Sequence, residues 1–347
     1  MNTMFPKISP PLTLIIAICF LIAAAIAAKA QEEEEPQQRQ GAVKQERKVE
    51  RGSRVAIRNN FGNMTVAGWE RDTIKAVARD ETSGETVEVG ISEISTVPNK
   101  FLITVKPGKR SFKGKISLEV KLPRDVELEP VETESDSITI SDIEGFINAK
   151  TISGNIKIFN VGSVQARTGN GNISLENVSG RADVITATGN LDVKRIKGDA
   201  RIIAVSARIN LSCVKGRVEI SDTSSEIFLT GVEGDVDVST SNGKAYFTGA
   251  IRAQNRYRLK TLSGVVSMAI PEGAGFIVSL SSYSGKIEKD FTFQNDSAFR
   301  PGKKEQRFTG KHGDAKAQIE LDSFNGTVSF RKIGAGAVVK GCESTND

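Results

Sequence analysis

Residue types able to do acid–base, nucleophilic or metal chemistry are sparse in this 347-residue sequence, and their spacing argues against a catalytic centre. The one histidine, His312, stands in Gly310-Lys311-His312-Gly313-Asp314 with no cysteine or serine motif around it. Such a residue is expected to be a solvated loop histidine. Cys19, Cys213 and Cys342 have no zinc-ligand spacing. Stretches such as Thr168-Gly169-Asn170-Gly171-Asn172 contain no phosphate-binding Walker pattern and no following helical period. The turns at Ser153-Gly154-Asn155 and Thr188-Gly189-Asn190 lack the aspartate with which nine-residue β-roll repeats hold calcium. No cofactor or metal is expected.

Charged residues recur instead in columns. Asp183, Arg201, Glu219 and Asp237 occupy equivalent positions, and Arg181, Asp199, Arg217 and Asp235 just before them alternate in sign. A charged face could serve a polysaccharide-cleaving β-helix enzyme. Regular alternation is also what pairing between neighbouring strands favours, and the non-catalytic reading leads on that ground. A parallel outward column runs Lys157, Ser174, Asp192, Asn210, Phe228, Tyr246, from polar to aromatic. Phe228 and Tyr246 are candidate contact residues, with cover by the C-terminal part of the same chain as the simpler account. Lys303, Lys304 and Arg307 form a second candidate, a basic stretch able to meet acidic polymers, for which a solvated loop is the simpler account.

These columns require elements that repeat. Ile156, Ile173, Leu191, Ile209, Ile227 and Ala245 recur at 17- or 18-residue intervals, with a second apolar residue two positions on and an inward corner at Val161, Val178, Ile196, Val214 and Val232. Gly180, Gly198, Gly216 and Gly234 then open a second alternating pair. Period-two alternation broken by Gly and Asn means strands. Two strands per repeat of about eighteen residues predict an all-β, β-helix-like β-solenoid whose coils share one core, of undetermined handedness. The glycines are expected to supply backbone angles that a β-carbon forbids.

The solenoid is only part of the chain. Lys7, the apolar run from Leu12 to Ala27 and the small residues Ala28 and Ala30 read as a signal peptide over residues 1–30. The run is too short to span a membrane, so no span is expected after cleavage. Residues 31–48 are nearly devoid of apolar side chains and read as a disordered leader. Residues 49–135 form an N-terminal β region, 136–250 the regular coils, and 251–333 the C-terminal coils with a projecting basic loop at 290–314. Residues 334–347 are a polar tail. Loss of Lys7 and Lys29 lowers the basic count from 47 to 45 against 42 acidic residues, too small an excess for a nucleic-acid partner. Export permits Cys213 and Cys342 to pair, but nothing in the spacing places the tail near Cys213.

Certain segments carry a resemblance. They are the run from Asn60 through Gly68-Trp69-Glu70-Arg71-Asp72, Leu122-Pro123-Arg124, the Ser/Thr-Gly-Asn corners, Leu262-Ser263-Gly264, Tyr283-Ser284-Gly285 and Phe324-Asn325-Gly326. With these the chain resembles the bacterial putative-adhesin family from about Val49 to Arg331. The resemblance implies an exported β-solenoid without catalytic residues, periplasmic, on the cell surface or secreted, contacting an envelope protein or a glycan. The alternatives are the polysaccharide-active enzyme and a periplasmic accessory factor in envelope-stress signalling.

Overall fold

The structure, a computed structural model, describes residues 42–82, 87–108, 112–297, 306–333 and Cys342. The expected signal peptide lies outside the described residues, as do Lys303 and Lys304. Every regular element among the described residues is a strand. Ala182–Ile196 pairs in parallel with Ala200–Val214 along its whole length, from Ala182↔Ala200 to Ile196↔Val214. On its other edge it receives Val164–Asn170 and Ile173–Val178 in the same register. The hydrogen-bonded partner of a residue is therefore the residue one repeat away, which is the all-β, solenoid-like stack that the periodicity predicts.

Burial follows the period. Ile158, Leu175, Val193, Leu211, Leu229 and Phe247 are each no more than 1% exposed, as are the corner residues Val178, Ile196, Val214 and Val232. Each such side chain contributes about 1.5–3 kcal/mol by leaving water. One continuous core runs from Val49 to Phe330.

The corners divide their tasks differently from the expectation. Positive φ angles fall on Asp142, Asn160, Asn177, Arg195, Cys213 and Gly231, at 56 to 62°, immediately before the inward corner residue. Asn and Asp tolerate this conformation best among residues with a β-carbon. Their side chains also tie coil to coil: Asn160 Nδ2 donates to Asp142 Oδ1 at 3.2 Å, and Asn177 Nδ2 to Asn160 Oδ1 at 2.8 Å. The recurrent glycines do something else. A β-carbon at Gly198 would lie 2.5 Å from the Gly180 carbonyl oxygen of the preceding coil, so crowding between stacked backbones excludes a side chain there.

At the third corner a buried Thr is followed by an outward residue, a Ser, Thr or Asn, and usually Gly. Thr151 Oγ1 accepts from Gly154 N at 3.0 Å, and Thr168 Oγ1 donates to the Gly154 carbonyl at 3.1 Å. Asp222 replaces the Thr in one coil and Ser225 the Gly. There Asp222 Oδ2 accepts from Ser225 N at 2.6 Å and from Thr240 Oγ1 at 2.7 Å. The paired substitution preserves the turn.

Both ends depart from sequence order. Arg54–Arg58 pairs with both Lys100–Pro107 and Glu127–Thr133, so the first coil in the chain is an inner rung. At the other end Ala317–Ile333 lies between Arg256–Pro271 and the strands Phe276–Ser282 and Lys286–Lys289. Antiparallel strands then close the stack: Thr73–Asp80 on Ile116–Pro123, Val87–Glu93 on Lys100–Pro107, and Gln306–His312 on Phe276–Ser282. Covering the terminal strands protects their unpaired backbone groups.

Two segment expectations change as a result. The leader does not remain without structure up to Lys48, because Ala42–Lys48 forms a strand antiparallel to Thr73–Asp80, whose edge satisfies its backbone groups. The 290–314 segment does not simply project. Gln306–His312 folds back on the end coil, where Phe308 and Phe291 are 1% and 5% exposed.

Candidate interaction surface

The charged columns come together as ion pairs. Arg201 and Glu219 approach to 3.9 Å, Arg258 reaches both Asp237 at 3.6 Å and Glu320 at 3.1 Å, and Lys260 meets Glu320 at 2.6 Å. Burial pushes the Glu320 carboxyl up, but hydrogen bonds from Lys260, Arg256 and Arg258 outweigh it and hold the group below the ordinary carboxylate range. Asp199 and Asp235 accept from the backbone N–H groups of Arg217 and Arg256 at 2.8 and 2.9 Å. Carboxylates so occupied set the register of the coils. The direction at Glu320 is the reverse of what a general acid needs, a carboxyl raised toward neutrality. No group of three or more His, Cys, Asp or Glu among the described residues is placed to hold a metal ion.

His312 is not the solvated residue the sequence predicts. Its Nδ1 lies 3.0 Å from the Thr292 carbonyl and its Nε2 2.9 Å from the Glu272 carbonyl, and its ring stacks on Phe276 at 5.3 Å. It ties the closing strand to two turns. Trp69 is likewise structural: its indole N–H donates to the Thr73 carbonyl at 2.8 Å, with the Arg71 guanidinium 5.2 Å over the ring and Arg124 paired to Glu70 at 2.9 Å.

Phe228 and Tyr246 stack at 5.1 Å with 12° between their planes. The Arg208 guanidinium covers the other face of Phe228 at 4.9 Å, and Ser267 follows Tyr246 in the ladder. Both rings are half-buried by these ladder neighbours. Arg307 lies on the closing strand opposite Ser281, on a different strand of the coil, so the structure does not join it to the aromatic pair.

A more exposed pair escaped the periodic reading. Tyr283 and Phe324 stack at 4.7 Å with planes 6° apart, and remain 44% and 50% exposed. Leu262, in the rung on the far side of Phe324, is 58% exposed. Ile152 and Val205 occupy the same outward position of the third corner in earlier coils. The signal was present in the repeated Thr/Ser-x-Ser/Asn-Gly corner, whose x becomes Leu, Phe and Tyr in the last coils. Its period belongs to the corners and not to the alternation of the strands.

Cys342 also reaches the coils. Cys213 and Cys342 form a disulfide with 5.1 Å between their Cα atoms. The space it needs comes from Gly231, where a β-carbon would lie 2.4 Å from Cys342 Sγ.

The model of the family described as Toastrack DUF4097 matches residues 46–331. The chain belongs to this family. The Toastrack DUF4097 match thus takes in the coils, both closed ends and every corner described above. Among solved structures, the chain is similar to a putative cell adhesion protein from Clostridium sporogenes at 12% identity. That match covers 84% of this chain and 100% of the other, with a TM-score of 0.19. A putative adhesin from Bacteroides fragilis is also 12% identical, over 86% and 99% of the two chains, with a TM-score of 0.28. One from Parabacteroides merdae is 11% identical over 83% and 95%, with a TM-score of 0.32. No curated protein matches the sequence. No helix among the described residues is long and apolar enough to cross a membrane.

Proposed function

We propose that this chain is an exported, non-catalytic interaction scaffold of the cell envelope, acting as an adhesin or as a docking surface for a protein or glycan. The observation that carries this reading is the Tyr283–Phe324 stack, exposed on a corner whose backbone is hydrogen-bonded from coil to coil. Ordered aromatic groups facing solvent are typical of contact sites, since holding them in place beforehand lowers the entropy cost of binding. Phe228 and Tyr246 supply a second, half-buried aromatic pair. Export through residues 1–30 accords with the Cys213–Cys342 disulfide, which suits an oxidising compartment. The test is fractionation of the native cell followed by crosslinking from the surface, with thiol labelling of the recovered chain. An envelope fraction, a closed disulfide and a crosslinked partner are expected. Recovery in the cytosol with both thiols free, or turnover of a polysaccharide, would remove the proposal.

A further inference from the structure

The corner that carries Tyr283 and Phe324 differs from the rest of the surface in its two outward columns, which hold no charged side chain from Ile152 to Tyr283. Glu134 takes that position in the preceding coil, and Asp222, at the Thr position beside the columns, has its carboxylate bonded to Ser225 and Thr240. In a chain with 26% charged residues, its outward column reads Ile152, Gly169, Ala187, Val205, Thr223, Ser241, Leu262, Phe324, Tyr283. The column beside it, from Ser153 through Asn170, Thr188 and Ser206 to Asn325 and Ser284, holds only hydroxyls and amides. Pairings Asn170↔Thr188↔Ser206 and Ser263↔Asn325 keep these groups in one row. Hydrogen bonds from Asn242 N to the Thr223 carbonyl, Ser263 N to that of Ser241 and Ser284 N to that of Phe324 continue it to the last coil. At about 4.8 Å per rung the row is roughly 40 Å long.

Resting on the scaffold reading, we infer that this corner binds a neutral, linear glycan, anchored at the Leu262–Phe324–Tyr283 patch and extended along the hydroxyl and amide row. Two features select that class. A binding surface that repeats by translation matches a ligand that repeats by translation, which a polysaccharide does and a folded protein surface does not. An uncharged row offers no counter-charge to offset the desolvation of an anionic polymer, whereas its hydroxyls and amides pair with sugar hydroxyls as donors and acceptors alike. The aromatic and leucine side chains meet the apolar C–H groups of the sugar ring, and a few central aromatic anchors of this kind carry a large share of the energy of a contact.

The test uses the full mature chain with laminarin, dextran and yeast mannan as neutral probes, and alginate and polygalacturonate as anionic ones, in affinity electrophoresis. At least one neutral probe is expected to retard the protein, undiminished in about 0.5 M NaCl, where surface charges are screened within a few ångströms. Tyr283→Ser with Phe324→Ser is expected to weaken retardation about tenfold or more, as loss of central aromatic groups does. An unchanged melting profile of this double variant serves as the control for folding. Retardation only by the anionic probes, or by none of the five, overturns the inference and leaves the scaffold reading standing if surface crosslinking still captures a protein. Failure of both assays removes both.

Discussion

At the scale of single residues, the corner column shows how one backbone conformation accepts different side chains for different reasons. Asn160, Asn177, Arg195 and Cys213 all sit at positive φ with a β-carbon, so Gly231 at φ 62° is not required by its backbone angle. It is required by Cys342, whose sulfur fills the space that the missing side chain leaves. Gly231→Asn is therefore expected to fold, with little change in the core, and to lose the disulfide. Titration of free thiols after denaturation should find two per chain, and full retention of the bond in this variant would refute the account. Glu320 gives a pH dependence at the same scale. Its carboxyl is held below the usual range, so its contribution is present above the ordinary glutamate pKa of about 4.3 and is lost as pH falls through the lower folded value. The melting temperature should drop as pH falls below the ordinary glutamate range, and Glu320→Gln should flatten that drop. An equal drop in the variant would assign the acid sensitivity to other carboxylates.

At the scale of elements, the strands were readable because burial has a period of two and the coils one of eighteen. Leu175 and Val193 are buried where alternation placed them, and paired with each other as the repeat predicts. Leu175→Ala is expected to cost about 2–5 kcal/mol, from lost transfer energy and the cavity left between coils. Gly198→Ala should cost about 1–3 kcal/mol by overpacking, because the backbone of Gly180 stands where the methyl must go. Denaturant melts of the two variants measure both effects, and a neutral Gly198→Ala would return that glycine to a purely conformational role. The corner chemistry was legible only in part. A sequence displays that Gly recurs, but not whether an angle or a neighbouring carbonyl demands it. The Tyr283–Phe324 pair was hidden for a related reason: its two residues are rungs of one ladder only after Ala317–Ile333 has inserted between other strands. The charged columns, whose members are equally spaced in sequence, needed no such rearrangement to be recognised.

At the scale of the molecule, the out-of-order ends change what kind of repeat protein this is. In a stack that follows chain order, each coil touches its neighbours alone, and terminal repeats can be removed one at a time. Here the last long strand, Ala317–Ile333, is shared between Arg256–Pro271 on one side and Phe276–Ser282 with Lys286–Lys289 on the other. Its removal takes away an inner rung, uncovers Leu259, Met268 and Leu280 together, and separates the closing strand from the body. The disulfide adds a second long-range tie, closing a sequence separation of 129 residues, for which the chain-entropy argument gives roughly 4–5 kcal/mol. Truncation after Lys316 is therefore expected to abolish cooperative folding of the C-terminal coils, giving an aggregated chain in size-exclusion chromatography. Cys342→Ser should give a folded chain with a lower melting temperature. If the truncated chain were a soluble, cooperatively melting shorter rod, the inserted strand would be a dispensable cap. The last regular coils would then be stable through nearest neighbours alone, as in a simple stack.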